Sequence, residues 1–132
     1  MNKVDLAPKL RVLVVDDEML IRWSVVETLA EQGHRVHEAC DARSALGALR
    51  DAPEPFDVAL LDLRLPDSND LSLLEKVRRL VPSMAVVMMT AFGSPDVVAG
   101  ALELGAYDVV SKPFDIHGIE RLLLDAHEAN LH

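Results

Sequence analysis

Short runs of apolar residues alternate along this chain with longer stretches in which apolar positions recur every three or four residues. Val12-Leu13-Val14-Val15, Val58-Ala59-Leu60-Leu61 and Val86-Val87-Met88-Met89 are apolar on both faces, the pattern of strands buried inside a sheet. Arg11 to Val15 reads as a first strand. Met19 to Gln32 reads as a helix, with Ile21, Val25 and Leu29 spaced four apart and Gly33 as its stop. Arg35 to Ala39 is a second strand, Ala42 to Arg50 a helix opening after Asp41, and Ala52-Pro53-Glu54-Pro55 a stiff turn into the third strand. Leu71 to Leu80 follows as a third helix, Val81-Pro82-Ser83 as a turn, and Ala85 to Met89 as a fourth strand. Ser94-Pro95-Asp96 supplies a cap, a proline at the first helical position and an acid in the first turn, and Gly105 ends the helix so begun. Asp108 to Ser111 is a fifth strand. Ile116 to Asn130 is a final amphipathic helix carrying Ile119, Leu122, Leu123 and Ala126.

Five strand–helix units with short connections predict an α/β fold: a single doubly wound five-stranded parallel sheet, (βα)5 and flavodoxin-like, in strand order 2-1-3-4-5. In that order strands 1 and 3 are neighbours, and the crevice at their C-terminal ends is where such sheets bind ligands. Met1 to Lys9 is polar and is expected to be a flexible leader, leaving 10–130 as the one domain.

Composition narrows the function. Half of the 132 residues are apolar, enough for a real core, and the formal charge of −9 argues against nucleic-acid binding by this segment. The single cysteine, Cys40, cannot form an internal disulfide. No apolar stretch is long enough to span a membrane and no signal peptide is visible, so a soluble, cytoplasmic protein is expected. Cys40 and the Met88-Met89 pair are expected in the core. The five histidines, His34, His37, His117, His127 and His132, lack ligand spacing and read as surface or packing residues.

The chemistry lies at the strand ends. Asp16 and Asp17 follow the first strand and Asp62 the third, so the carboxylates converge; such a cluster raises its own pKa values unless a cation sits among them. Thr90 and Lys112, ending the fourth and fifth strands, add a hydroxyl and an ammonium.

Taken together, Val14-Val15-Asp16-Asp17-Glu18, Leu61-Asp62-Leu63-Arg64-Leu65-Pro66, Met89-Thr90-Ala91, Gly105-Ala106-Tyr107-Asp108 and Lys112-Pro113-Phe114 resemble the receiver domain of two-component response regulators. The resemblance implies that Asp62 takes a phosphoryl group from a phosphohistidine on a sensor histidine kinase. It also implies Mg²⁺ held by Asp16, Asp17, Asp62 and the main-chain carbonyl of Arg64, with Asp16 acting partly through water. Lys112 would pair with a phosphoryl oxygen, Thr90 would hydrogen-bond another, and Lys112-Pro113 would be cis. The family further implies a switch acting on an output domain or partner, transcription control among the outputs, and a homodimer on phosphorylation. Ile21-Arg22-Trp23-Ser24 resembles the first helix of the nitrogen-regulation class of activators; Trp23 is either exposed beside Val26 and Ala30 or packed against the first loop.

The chain departs from the pattern in places. Val109 stands where many receivers carry an aromatic that turns on phosphorylation, and Tyr107, two residues earlier, is expected to pack against the neighbouring helix. Asp70 replaces a common glycine, and a left-handed turn there is one that aspartate tolerates. Arg64 and Phe92 flank the path of hydrolytic water and are expected to slow loss of the phosphoryl group.

Other functions fit less well. A haloacid-dehalogenase-type phosphatase wants an acid two residues after its nucleophile, where this chain has Arg64; an FMN carrier needs Ser, Thr and Gly in the first loop, which here is Asp-Asp-Glu. A degenerate receiver serving only as a dimerisation module would not need its acids complete.

Overall fold

The computed structural model describes residues 8–131. In chain order the elements are β1 (Arg11–Val15), α1 (Met19–Glu31), β2 (Arg35–Ala39), α2 (Ala42–Asp51), β3 (Val58–Asp62), α3 (Ser72–Leu80), β4 (Ala85–Thr90), α4 (Pro95–Glu103), β5 (Asp108–Ser111), a 3-10 turn at Ile116–Gly118, and α5 (Ile119–Asn130). The strands form one parallel sheet in the order β2-β1-β3-β4-β5, as the strand–helix alternation predicts. Of the expected leader, residues 1–7 lie outside the described residues, as does His132. Lys9, at the leader's end, is tied down: its Nζ donates to the Gln32 carbonyl at 2.9 Å.

Alternation along the strands builds two cores. Leu13, Val15, Ala59, Leu61, Val86 and Met88 face α2, α3 and α4, whereas Val12, Val14, Val58, Leu60, Val87 and Met89 face α1 and α5. Every side chain of β3 and β4 is buried, which fixes these strands and the residues at their ends. Gly33 and Gly105 take positive φ, 92° and 101°, at the ends of α1 and α4, a conformation that favours glycine.

Helix starts show how the loops are held. Asp41 accepts from the Ser44 N–H at 2.7 Å, while Asp67, from the loop after β3, accepts from Ala42 N at 2.8 Å and Arg43 N at 3.0 Å. Three of the otherwise orphaned amides of α2 are thereby satisfied, two of them from another loop. The turn that carries Asp67 is closed by paired backbone bonds between Leu65 and Ser68, at 2.8 and 3.2 Å. Asp70 needs no left-handed backbone, since no described non-glycine residue has positive φ; instead its carboxylate receives the Ser72 N–H at 2.9 Å and starts α3 one residue later than the pattern suggests. The last helix likewise begins with a 3-10 turn, because Asp115 captures the His117 N–H at 3.0 Å and Gly118 separates the two segments.

Two packing expectations are corrected. Met88 and Met89 are buried, but Cys40 is exposed, because it lies one residue past the end of edge strand β2 and Ala39 fills the core position. Tyr107 is 43% exposed rather than packed away; of the two placements open to Trp23 the exposed one is found, at 59%. His34 is a buried strut: its Nδ1 accepts from the Leu10 N–H at 2.9 Å, which makes Nε2 the protonated nitrogen, and Nε2 donates to Glu120 at 2.6 Å.

Candidate functional site

The carboxylates meet where β1 and β3 end side by side. Val15 pairs with Leu61 in the sheet, so Asp16 and Asp62 continue two adjacent strands on the same level. Asp16 is fully buried and Asp62 is 5% exposed, while Asp17 and Glu18 are open to solvent. Carboxylate oxygens of Asp16, Asp17, Glu18 and Asp62 all lie within 4.8 Å of one another. Glu18 was not among the ligands expected from sequence; a third consecutive acid after Asp16 and Asp17 was the available signal.

Lys112 sits in the middle of this cluster. Its Nζ is 2.9 Å from Asp62 Oδ2, 2.9 Å from Asp16 Oδ2 and 3.2 Å from Glu18 Oε1. The contact to Asp16 Oδ2 is out of line for a hydrogen bond, so that oxygen is held by charge and has no hydrogen-bond donor. Asp16 is otherwise fixed by its Oδ1, which accepts from the Glu18 N–H at 2.9 Å, and by its carbonyl, which receives Arg22 Nη1 at 2.6 Å. The lysine is aimed from the end of β5, where its N–H donates to the Thr90 carbonyl at 2.8 Å, and its peptide to Pro113 is cis.

Burial raises the Asp62 pKa, the Asp16 charge adds to it, and hydrogen bonds from Lys112 and the Arg64 N–H oppose it, leaving the carboxyl at about 6. Burial alone pulls the Lys112 ammonium down, but Asp16 and Asp62 more than offset this and its pKa is raised. One ammonium thus compensates two buried carboxylates and one exposed one. The uncompensated charge, the undonated Asp16 oxygen and an all-oxygen donor set suit a small hard cation, which Asp16, Asp17, Glu18 and Asp62 could hold.

The remaining sequence-derived positions lie where the alternation puts them. Thr90 is buried at the end of β4, and its Oγ1 accepts from the Phe92 N–H at 3.1 Å. Arg64 lies against Asp62 through its backbone, N–H to Oδ1 at 3.2 Å, with its side chain exposed; Phe92 is 80% exposed. Val109 joins the α2–α4 core in place of an aromatic.

Comparison with known proteins agrees with this arrangement. A family model of the response regulator receiver domain matches residues 12–123. The response regulator protein PilR of Pseudomonas aeruginosa is 37% identical over 116 residues, covering 88% of this chain and 26% of that protein. Sporulation initiation phosphotransferase F of Bacillus subtilis is 31% identical, covering 83% of this chain and 86% of that protein. The solved receiver domain of NtrX from Brucella abortus superposes with a TM-score of 0.79 at 35% identity, covering 89% of this chain and 98% of that one. A CheY-like receiver domain from Methanospirillum hungatei gives 0.86 at 29% identity, covering 94% and 98%. This chain therefore spans about a quarter of PilR and nearly all of the solved receiver domains. With the fold, the strand-end acids and the matched relatives in agreement, the chain belongs to the response regulator receiver domain family.

Proposed function

We propose that Asp62 is the phosphoacceptor, taking a phosphoryl group from the phosphohistidine of a sensor histidine kinase. A carboxylate oxygen of Asp62 forms a bond to phosphorus as the phosphorus–nitrogen bond breaks, and the departing imidazole takes its proton from solvent. The observation that carries this reading is the placement of Lys112 Nζ 2.9 Å from Asp62 Oδ2, with Thr90 on the adjacent strand. Phosphoryl transfer spreads charge over the equatorial oxygens, so positioning and neutralisation do most of the work. Asp16, Asp17 and Asp62, with Glu18 beside them and the Arg64 carbonyl, would hold Mg²⁺, which supplies charge neutralisation at the phosphoryl oxygens when bound. Lys112 then moves from the carboxylates to a phosphoryl oxygen, and the Thr90 hydroxyl, which keeps its proton free while accepting from Phe92, donates to another.

The aspartyl phosphate shifts a conformational equilibrium because its contacts favour one state. The output is control of an effector domain or downstream protein, transcription in the manner of the DNA-binding transcriptional regulator NtrC of Proteus hauseri, with a homodimer on phosphorylation and a cytoplasmic location. Among the described residues no helix is long and apolar enough to cross a membrane. The reaction is self-catalysed by the domain.

Incubation with a small phosphodonor and Mg²⁺, followed by intact mass, tests this reading. One phosphoryl adduct is expected, absent in Asp62→Asn. Rapid donor turnover without an adduct would indicate a phosphatase and overturn it.

A further inference from the structure

The ionic surface of this acidic chain is uneven. Half of the twelve described basic residues sit in ion pairs: Arg22 with Glu38, Arg121 with Asp125, Arg79 with Glu75, Arg11 and Arg35 with Glu54, and Lys112 in the site. Arg50 and Lys76 are exposed and make no ion pair within 4.0 Å, although the chain carries a formal charge of −9. Both line one groove between α2 and α3, together with Leu46, Arg79 and Leu80. Arg79 is tethered only to Glu75, on its own helix, at 2.8 Å. Arg43, also exposed and outside any ion pair, lies two turns before Arg50 on the same face of α2.

Basic residues in last helical turns complement the helix dipole, which accounts for Arg50 and Arg79. It accounts for neither of two further features. Leu80 is 45% exposed beside these charges. Gly47 sits mid-helix on the outer face, between Arg43 and Arg50, and a Cβ there would meet nothing within 4 Å. An interior helical glycine costs roughly 0.5–1 kcal/mol relative to alanine, and no neighbour in the fold requires this one. A side chain withheld from an open helix face leaves room for another backbone to approach.

We propose that the α2–α3 groove docks an acidic amphipathic helix of a partner protein. That helix crosses α2 at Gly47, turns its carboxylates toward Arg50, Lys76 and Arg79, and lays its apolar residues over Leu46 and Leu80. The groove lies toward the C-terminal ends of α2 and α3, away from the strand ends where the acids cluster, so occupancy is compatible with an exposed phosphoacceptor.

The test is titration of the isotope-labelled chain with a synthetic amphipathic peptide bearing glutamates and leucines on one face, beside the same peptide with lysines for glutamates. Amide shifts confined to α2 and α3 with the acidic peptide alone are expected. Affinity should fall about tenfold or more in Arg50→Glu/Lys76→Glu, a loss that added salt reproduces. Gly47→Gln should weaken binding while leaving the thermal midpoint equal or higher, which separates blocked docking from unfolding. Equal shifts with the lysine peptide, shifts elsewhere, or affinity untouched by these variants would overturn the proposal. So would movement of the same amides on dilution of the chain alone, which identifies a second copy, or their titration by a DNA duplex.

Discussion

The Thr90 hydroxyl oxygen accepts the Phe92 N–H at 3.1 Å, so the group that ends β4 beside Asp62's strand also braces the loop leading into α4. Around it the packing is close: a Cβ on Gly93 would stand 3.0 Å from the Thr90 methyl and 3.5 Å from Val98 on α4. With Val109 where an aromatic could turn, the Thr90–Phe92 hydrogen bond ties the end of β4 to the loop that leads into α4.

Thr90→Val keeps the methyl contacts and removes the acceptor, at a stability cost of about 1 kcal/mol for the orphaned Phe92 N–H. The variant should still gain a phosphoryl adduct by mass. Phosphorylation-induced amide shifts in α4 should be lost, and Thr90→Ser should restore them.

Removing the ammonium exposes the electrostatic debt of the acids. Lys112→Met leaves Asp16 and Asp62 buried without a counter-charge and should lower stability at neutral pH by about 3 kcal/mol in chelator. Added Mg²⁺ should raise its thermal midpoint by more than that of the unaltered chain, since the metal no longer competes with a lysine.

The Asp62 carboxyl, at about 6, binds its proton more tightly in the folded than in the unfolded chain. Between pH 4 and 6, roughly, the native state therefore holds the extra proton, and this group's contribution to stability falls as pH rises through that window. Denaturant unfolding in chelator at pH 5 and pH 7 should show the unaltered chain losing about 1 kcal/mol relative to Asp62→Asn. A parallel pH dependence in the two proteins would contradict the assignment.

Arg64 and Phe92 project their exposed side chains beside the site, from the loops after β3 and β4. Replacing both with alanine should open the path of hydrolytic water and shorten the half-life of the phosphoryl adduct several-fold, followed by mass over time.

Sheet order and the convergence of Asp16, Asp62, Thr90 and Lys112 were legible in sequence, because buried parallel strands leave periodic apolar runs and their ends are marked by the first polar residue. Less legible was whatever depended on contacts between distant segments. Cys40 looks like a core residue by type, and only the edge position of β2 exposes it. His34 carries no motif, and its role arises where Leu10 and Glu120 happen to meet it. Asp70 and Asp115 resemble ordinary loop acids until their own side chains are seen to capture nearby amides.

Asp67 gives the domain an order of assembly. The amides of Ala42 and Arg43 are satisfied by a carboxylate that lies more than twenty residues downstream, in the turn after β3. During synthesis α2 leaves the ribosome before its clamp exists, and β1 before either of the two strands that flank it. The native cap of α2 therefore cannot form until residue 67 emerges, and the turn that supplies it is the one that follows Asp62.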